Sequence, residues 1–254
     1  MERVVAGLSA RALGGLPEVH AGDDVAALIA ACSEEQLRDR HLVAIAHKVV
    51  SKSEGAVVAL ADVQPSERAR ELAESQGKDA RVVEVVLAES AEVVRAERDV
   101  LVCRTRHGFV CANAGVDASN ASGDGELVLL PRDPDASARR IRARLRDLTG
   151  SAPAVLISDS FGRAWRHGQL DVAIGLAGMQ PLDDWRGRTD ARGLQLQATW
   201  LALADAAAAT ADLARAKDSR EPVVILDGLE RYITAEDGPG ATALLRPLGE
   251  DLFR

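Results

Sequence analysis

The chain has 254 residues, and its 47% of apolar residues suffice for a sizeable hydrophobic core. A net charge of −8 argues against nonspecific binding to nucleic acid or to an anionic membrane, because such binding depends on a basic surface. There is no apolar run long enough to span a membrane and no signal-peptide pattern at the first residues, so we expect a cytoplasmic protein. The three cysteines lack C-x-x-C spacing and are predicted to be buried structural thiols.

Short helical and strand patterns alternate in the first half of the chain. Apolar residues at helical spacing follow Asp23 and Asp24, either of which can cap a short helix. Residues 42–46 are an apolar run typical of a buried strand, and the polar segment 47–55 follows it and closes in a turn. Further predicted elements are a helix that ends at Gly77, a mostly helical segment over residues 81–95 with a strand as the alternative, and strands over residues 100–103 and 127–130.

An amphipathic helix opens the second half at Asp133 and runs to about Leu148, with Ile141, Leu145 and Leu148 facing inward. Residues 154–158 are predicted as a buried strand that delivers Asp159 at its end. Further predicted elements are a loop-rich segment over residues 161–193, an Ala-rich helix over residues 194–216 and a strand over residues 222–226. No linker or repeat is visible, so residues 1–254 are predicted as one unit, with two intimately packed subdomains as the alternative.

Lysine is rare in this chain, and its positions are therefore informative. Only four of the 31 basic residues are lysines, and two of them, Lys48 and Lys52, lie four residues apart just beyond a predicted strand. A compact ammonium acts as a point charge on phosphate oxygens, while neighbouring hydroxyl and backbone N–H groups donate hydrogen bonds. The segment therefore predicts an anion site, and a solvated strand end is the alternative.

Two short segments carry acidic residues beside hydroxyl or amide oxygens. Asp117 is followed by Ser119 and Asn120, and Asp159 is followed by Ser160. These are hard oxygen ligands of the kind that Mg²⁺ or Mn²⁺ takes when it is shared with phosphates. An Asx-turn or a helix cap is the alternative for each segment taken alone.

Arginines, glycines and tryptophans are concentrated in residues 162–188, where they could hold carboxylates or a planar ring, or form an interface. The motifs of P-loop nucleotide binding, dinucleotide binding, α/β-hydrolases and zinc proteases are all missing from the sequence. The residues alone therefore indicate an enzyme that handles a metal and phosphates on an unfamiliar loop arrangement.

Five blocks together resemble the coenzyme F420-0:L-glutamate ligase family, in order and spacing, from about residue 13 to residue 228. The blocks are Gly15-Leu16-Pro17-Glu18 with residues 22–24, residues 48–55, residues 107–120, residues 133–137 and residues 157–175. The resemblance implies an α+β fold with mixed, largely antiparallel sheets, flanking helices and an intertwined homodimer. It also implies that GTP activates the terminal carboxylate of coenzyme F420-0 as an acyl phosphate, which the amine of L-glutamate attacks to form an amide.

The resemblance further implies roles for individual residues. The implied catalytic residues are Asp117, Asp159 and Lys52. The implied ligands of Mg²⁺ or Mn²⁺ are Asp117, Asp159 and Ser160, with K⁺ as an additional ion. The implied GTP contacts are Leu16, Pro17, Glu18, Val19, His47, Lys48, Lys52, Asn120 and Lys217.

Four departures from the family pattern lie late in the chain: Ala164, Leu170, Ala206 and Asp227. They bear on substrate specificity rather than on phosphate chemistry. Two alternatives therefore stay open, namely a related amide ligase for another pair of acid and amine, and a nucleotide-binding module without catalysis.

Overall fold

A computed structural model describes residues 7–33, 35–117 and 125–251 of the chain. The described helices are α1 (Val25–Cys32), α2 (His47–Ser53), α3 (Glu67–Gln76), α4 (Ala80–Glu89), α5 (Pro134–Thr149) and α6 (Leu203–Leu213). The described strands are β1 (Ser9–Ala12), β2 (Leu42–Ala46), β3 (Val57–Ala59), β4 (Ser90–Glu97), β5 (Val100–Thr105), β6 (Val110–Ala112), β7 (Glu126–Val128), β8 (Ala154–Arg163), β9 (Arg166–Ala177), β10 (Leu182–Asp184), β11 (Trp200–Ala202) and β12 (Val223–Asp227). Among these helices, none has the length and apolar character that crossing a membrane requires.

The largest sheet has five strands in the order β1-β12-β2-β8-β9. Strands β2 and β8 pair in parallel, with Ala46 opposite Ser158, and the other neighbours pair antiparallel. Because parallel strands end at the same edge, the carboxyl ends of β2 and β8 lie side by side. The residues that directly follow β2 and β8 in the sequence are therefore neighbours in space.

Each face of this sheet is covered by helices. One face packs against α1 and α5 through Val43, Ile45, Ile157 and their neighbours, with Ile29 and Leu145 from the helices. The opposite face packs against α6, whose alanines allow a close approach to the strands. The alternation of apolar residues between the two faces follows the two-residue repeat of a strand.

A second, separate core lies beneath α3 and α4, which pack on the antiparallel sheet β4-β5-β6. Its buried residues include Ala69, Val83, Val86 and Leu101. Two further two-stranded sheets, β3 with β7 and β10 with β11, are antiparallel as well. The predicted class, α+β with mixed and largely antiparallel sheets and flanking helices, is confirmed.

Helix starts that the sequence predicts from capping residues are confirmed. The Asp24 side chain accepts a hydrogen bond from the Ala27 backbone at 3.0 Å, and Asp133 does the same for the Ala136 backbone at 2.9 Å. Gly77 ends α3 in the left-handed conformation, which glycine adopts without strain. The inward prediction for Leu148 is wrong, because this side chain is exposed near the end of α5.

Two predicted helices are shorter in the structure. Helix α4 ends at Glu89, and the β-branched residues after it pair as strand β4 with β5, Val93 lying opposite Cys103. The Ala-rich helix starts at Leu203 rather than at residue 194, because residues 200–202 pair with β10 as strand β11. In both segments, strand pairing overrides local helix propensity.

The loop-rich prediction for residues 161–193 is wrong in its first half. Strand β8 continues to Arg163 and turns back at Trp165 into β9, which makes one long hairpin. Glycine in this segment serves packing: a Cβ on Gly175 would lie 2.4 Å from the Pro134 carbonyl oxygen of α5. The glycines that suggest a loop in the sequence therefore include one that lets a helix approach a strand.

Candidate functional site

The parallel pairing of β2 and β8 joins two of the predicted site residues. His47 directly follows Ala46, and Asp159 directly follows its register partner Ser158. Nε2 of His47 lies 3.3 Å from Oδ1 of Asp159, and the two side chains are only 3% and 16% exposed. The polar segment 47–55 starts with helix α2, so the buried imidazole belongs to the first turn of a helix.

The next residue of α2 holds the second predicted carboxylate. Nζ of Lys48 lies 2.5 Å from Oδ2 of Asp117. The Asp117 backbone is fixed by two hydrogen bonds with Val128, of 3.0 and 2.7 Å. Two successive residues of α2 thus face two carboxylates that come from distant parts of the sequence.

Lys52 lies one turn further along α2 and forms a salt bridge with Glu18. The hydrogen bond from Lys52 is the main cause that lowers the pKa of Glu18 below its ordinary value. The loop that carries Glu18 is tied to the end of α2, since the Gly22 N–H donates to the Ser53 carbonyl at 2.8 Å. Lys48, Lys52 and Glu18 therefore belong to one polar surface around α2.

The remaining predicted contacts of this loop differ in exposure. Val19 is buried in the core, Leu16 is half-buried and packs against the same core, and Pro17 is exposed. The side chain of Val19 is therefore not accessible to a ligand in this structure. Asn120, another predicted nucleotide contact, lies outside the described residues.

Ser160 and Lys217 lie on the other face of the hairpin. Since β8 continues through residue 160, Asp159 and Ser160 point to opposite faces of the sheet. The Ser160 hydroxyl donates to Oδ1 of Asp171 at 2.6 Å, and Nζ of Lys217 donates to the Ser160 hydroxyl at 2.9 Å. The structure thus brings Ser160 and Lys217 together, apart from the side chains of Asp117, Asp159 and Lys48.

Sequence reasoning missed Asp171 and Arg215, which form the centre of this second cluster. Asp171 is buried, forms a salt bridge with Arg215 and accepts a hydrogen bond from the Ser158 hydroxyl at 2.8 Å. Burial raises the pKa of this carboxyl, but the hydrogen bonds and nearby cations outweigh burial and lower it. Asp171 lies opposite Ser160 in register, a pairing that the sequence did not signal because residues 161–193 were predicted as a loop-rich segment.

No group of three or more His, Cys, Asp or Glu side chains is arranged to hold a metal in the part of the chain that the structure describes. The donors at the start of α2 are two carboxylates, Asp117 and Asp159. Mg²⁺ is commonly held by one or two carboxylates together with waters and substrate phosphates. The donor set therefore fits a divalent ion shared with a phosphate ligand, rather than a closed protein cage.

The cysteine prediction is confirmed for two thiols. Cys103 and Cys111 are buried, and Cys32 is half-buried; all three are free thiols. Burial, with a smaller effect of the nearby Asp159 carboxylate, raises the pKa of the Cys111 thiol to about 12. Cys111 is therefore protonated at neutral pH and behaves as a small apolar residue.

Arginines and tryptophans of residues 162–188 lie at the surface. Trp165 stands at the tip of the β8–β9 hairpin and is 87% exposed. The Arg186 guanidinium packs over Trp200, and that of Arg188 packs over Trp185. Stacking of this kind fits both interpretations of the segment, a ligand site and an interface.

The acidic residue at position 227 has a partner in this chain. Arg40 donates two hydrogen bonds to Asp227, at 2.9 and 2.7 Å, and these lower the pKa of its carboxyl. The departure at this position therefore has a structural role at the end of β12.

The chain is similar in sequence to one family of known proteins. A family model described as F420-0:Gamma-glutamyl ligase matches residues 15–228. The chain is 45% identical to the coenzyme F420:L-glutamate ligase of Methanothermobacter thermautotrophicus, over 98% of this chain and 99% of that protein. It is 44% identical to the protein of the same name from Methanopyrus kandleri, over 95% and 100%, and 41% identical to that from Halobacterium salinarum, over 94% and 97%.

Proposed function

Because the chain belongs to the F420-0:gamma-glutamyl ligase family, we propose that it joins L-glutamate to the terminal carboxylate of coenzyme F420-0 by an amide bond, using GTP. The observation that carries the proposal is that Asp117 and Asp159 both contact the first turn of helix α2, the helix that also carries Lys48 and Lys52. Such a set of carboxylates and ammonium groups suits phosphoryl transfer, in which catalysis is mostly positioning and electrostatic stabilisation.

The proposed reaction has two steps. A carboxylate oxygen of F420-0 attacks the γ-phosphorus of GTP, and the bond to the bridging oxygen breaks, so that its electron pair leaves with GDP. The α-amine of L-glutamate then attacks the carbonyl carbon of the acyl phosphate and loses a proton, and inorganic phosphate leaves. Activation is needed because a free carboxylate is a poor electrophile at neutral pH.

Lysines of α2 would bind the phosphates. Lys48 and Lys52 are both paired with carboxylates, and a phosphate group can replace either partner as the stronger anion. We propose that their charge offsets the charge that develops on the transferred phosphoryl group.

Asp117 and Asp159 would hold Mg²⁺ or Mn²⁺, with K⁺ as an additional ion. The divalent ion supplies charge neutralisation at the phosphates when it is bound. Ser160 has its hydroxyl engaged with Asp171 on the opposite face, so a contribution from this residue would come through its backbone.

The test is a reaction of purified protein with GTP, Mn²⁺, L-glutamate and F420-0, read by mass spectrometry. We expect products heavier by one or more glutamyl residues together with GDP release. Asp159→Asn should lower the rate by at least about 100-fold, since removal of one electrostatic group commonly costs this much. Asp79→Asn, which removes the charge of another ion-paired carboxylate, the partner of Arg81 in α4, is the matched control.

Each rival function has its own outcome. GDP release with other acids or amines, but none with F420-0, would indicate a related ligase for a different pair of substrates. GTP binding without turnover on any substrate would indicate a nucleotide-binding module.

We also propose that the enzyme works as a homodimer, on the basis of residues 182–202, called the arm below. Its strands β10 and β11 form an isolated two-stranded sheet, and such hairpins are marginally stable in water. Among the described residues, none from the arm belongs to a hydrophobic core, and Leu194 is 66% exposed. A second copy of the chain would cover this apolar surface.

A further inference from the structure

Helix α2 carries two pairs of polar residues at a spacing of four. The steps of the proposed reaction assign no task to the side chains of the buried pair, although the resemblance implies that His47 contacts GTP. Lys48 and Lys52 face the carboxylates of the polar surface, whereas His47 and Ser51 face inward. Residues four apart lie on the same side of a helix, so each pair acts as a unit. We propose that His47 and Ser51 are positioning residues that orient the Asp159 carboxylate for a divalent metal, an inference that rests on the proposed function.

Polar contacts link Ser51 to His47, and His47 to Asp159. Nδ1 of His47 lies 3.3 Å from the Ser51 hydroxyl, and Nε2 lies 3.3 Å from Oδ1 of Asp159. Ser51 is fully buried, and His47 is 2% exposed. A buried imidazole in this place does not reach solvent, so its side chain acts on a ligand through Asp159.

Hydrogen-bonding chemistry determines which groups donate and which accept among Ser51, His47 and Asp159. An ionised carboxylate only accepts hydrogen bonds, so the nitrogen that faces Asp159 must be the one that carries hydrogen. In the neutral ring Nδ1 then accepts from the Ser51 hydroxyl, which selects this tautomer. Nε2 of His47 has no aligned hydrogen bond within the described residues, so its N–H needs Asp159 as its acceptor.

One hydrogen bond and one close polar contact meet at the same oxygen of Asp159. The Ser160 backbone N–H donates to Oδ1 at 2.8 Å, and His47 approaches the same atom. Neither contact uses Oδ2, so this oxygen can bind another ligand. In metal sites, groups that hold a ligating side chain from behind commonly change metal affinity by about 10- to 100-fold when they are removed.

The test measures Mn²⁺ affinity of the full chain in the presence of GTP, by the loss of the free Mn²⁺ signal in electron paramagnetic resonance. We expect His47→Phe to weaken Mn²⁺ binding by at least about tenfold, because the apolar ring cannot donate to Asp159. His47→Gln keeps an N–H donor and should restore most of the affinity. Ser51→Ala should weaken binding by a smaller factor, about threefold or more, since it acts through His47.

Ser137→Ala is the matched control for a purely structural effect. Ser137 is also a buried serine, and its hydroxyl donates to Glu54 at 2.5 Å instead of to His47. Both serine variants should lower the melting temperature, and only Ser51→Ala should lower Mn²⁺ affinity. Equal losses of affinity in both variants, or in His47→Phe and His47→Gln, would overturn the inference.

The outcomes separate this inference from the proposed function. If the wild-type protein forms the amide while His47→Phe keeps wild-type Mn²⁺ affinity, the inference alone fails. If the protein binds Mn²⁺ and the variants behave as expected but no amide forms with F420-0, the proposed function fails alone. A wild-type protein that binds no Mn²⁺, or nitrogen coupling that identifies His47 as a direct Mn²⁺ ligand, overturns the inference.

Discussion

Lysine and arginine make different kinds of contact in this molecule. Lys48, Lys52 and Lys217 each contact a carboxylate, and all three are predicted nucleotide contacts. Arginines form the planar two-bond contacts, as in the pair of Arg40 with Asp227. An ammonium can release a carboxylate and accept a phosphate in its place without the fixed fork geometry that arginine imposes.

Lys52→Arg should therefore weaken GTP binding although the charge is kept. The Lys52 side chain is 12% exposed, and its enclosed position suits a slim ammonium rather than a broad guanidinium. We expect the dissociation constant for GTP, measured by calorimetry, to rise about tenfold, or about 1.4 kcal/mol. Lys78→Arg, outside the α2 surface, should leave it unchanged. Equal affinity in the two variants would assign Lys52 a surface role.

Asp205 allows a prediction for the pH dependence of stability. Burial raises the pKa of this carboxyl above its ordinary value, although the Ala173 N–H donates to it at 3.0 Å. A raised folded-state pKa in an acid means that stability is lost as pH rises from the unfolded value through the folded one. Asp205→Asn should thus raise the free energy of unfolding at pH 7, on the order of 1 kcal/mol.

Urea unfolding at neutral and at acidic pH tests whether ionisation of Asp205 lowers the free energy of unfolding. The gain from Asp205→Asn should shrink near pH 3, below the ordinary pKa of the unfolded carboxyl, where the wild-type group is largely protonated in both states. Asp24→Asn is the contrasting variant, because the hydrogen bond from Arg144 lowers the pKa of Asp24. This variant should lose stability at pH 7. A gain for Asp205→Asn that is the same at both pH values would show that burial of charge is not its cause.

At the scale of elements, local signals predict helix ends well and strand partners poorly. The starts of α1 and α5 follow from Asp24 and Asp133, because capping depends on neighbours in sequence. The β8–β9 hairpin depends on contacts made far along the chain, such as the α5 carbonyl that excludes a side chain at Gly175. The sequence pattern does not reveal that contact, so Gly175 predicts a loop when only its neighbours in sequence are considered.

Gly175→Ala should strongly destabilise the protein for this reason. Its new Cβ would lie 2.4 Å from the Pro134 carbonyl oxygen, and a backbone atom cannot move aside as a flexible side chain can. We expect a loss of about 2–3 kcal/mol in urea unfolding, the scale of overpacking. Gly162→Ala, in the same hairpin and with no atom within 4 Å of the new Cβ, is the control. A similar loss for both would attribute the effect to strand flexibility.

At the scale of the whole molecule, the α2 surface is assembled by topology. Parallel pairing of β2 and β8 sets His47 beside Asp159, and the loop before α1 and the segment before β7 add Glu18 and Asp117. Residue types and spacing predicted Asp117, Asp159 and the two lysines of α2, whereas the roles of Glu18 and His47 were implied by the family resemblance. The division of Asp159 and Ser160 between two faces of the hairpin could not be predicted, since it depends on how far β8 continues.

Assembly of two copies is the prediction at this scale. Leu194→Glu would place a charge within the apolar surface of the arm, where burial against a second copy would desolvate it. We expect light scattering to give a dimeric mass for the wild type and a monomeric mass for this variant at micromolar concentration. Leu213→Glu is the control, because Leu213 is an equally apolar, 89% exposed residue of α6 outside the arm. A monomeric wild type, or dissociation by Leu213→Glu instead, would contradict an interface built on the arm.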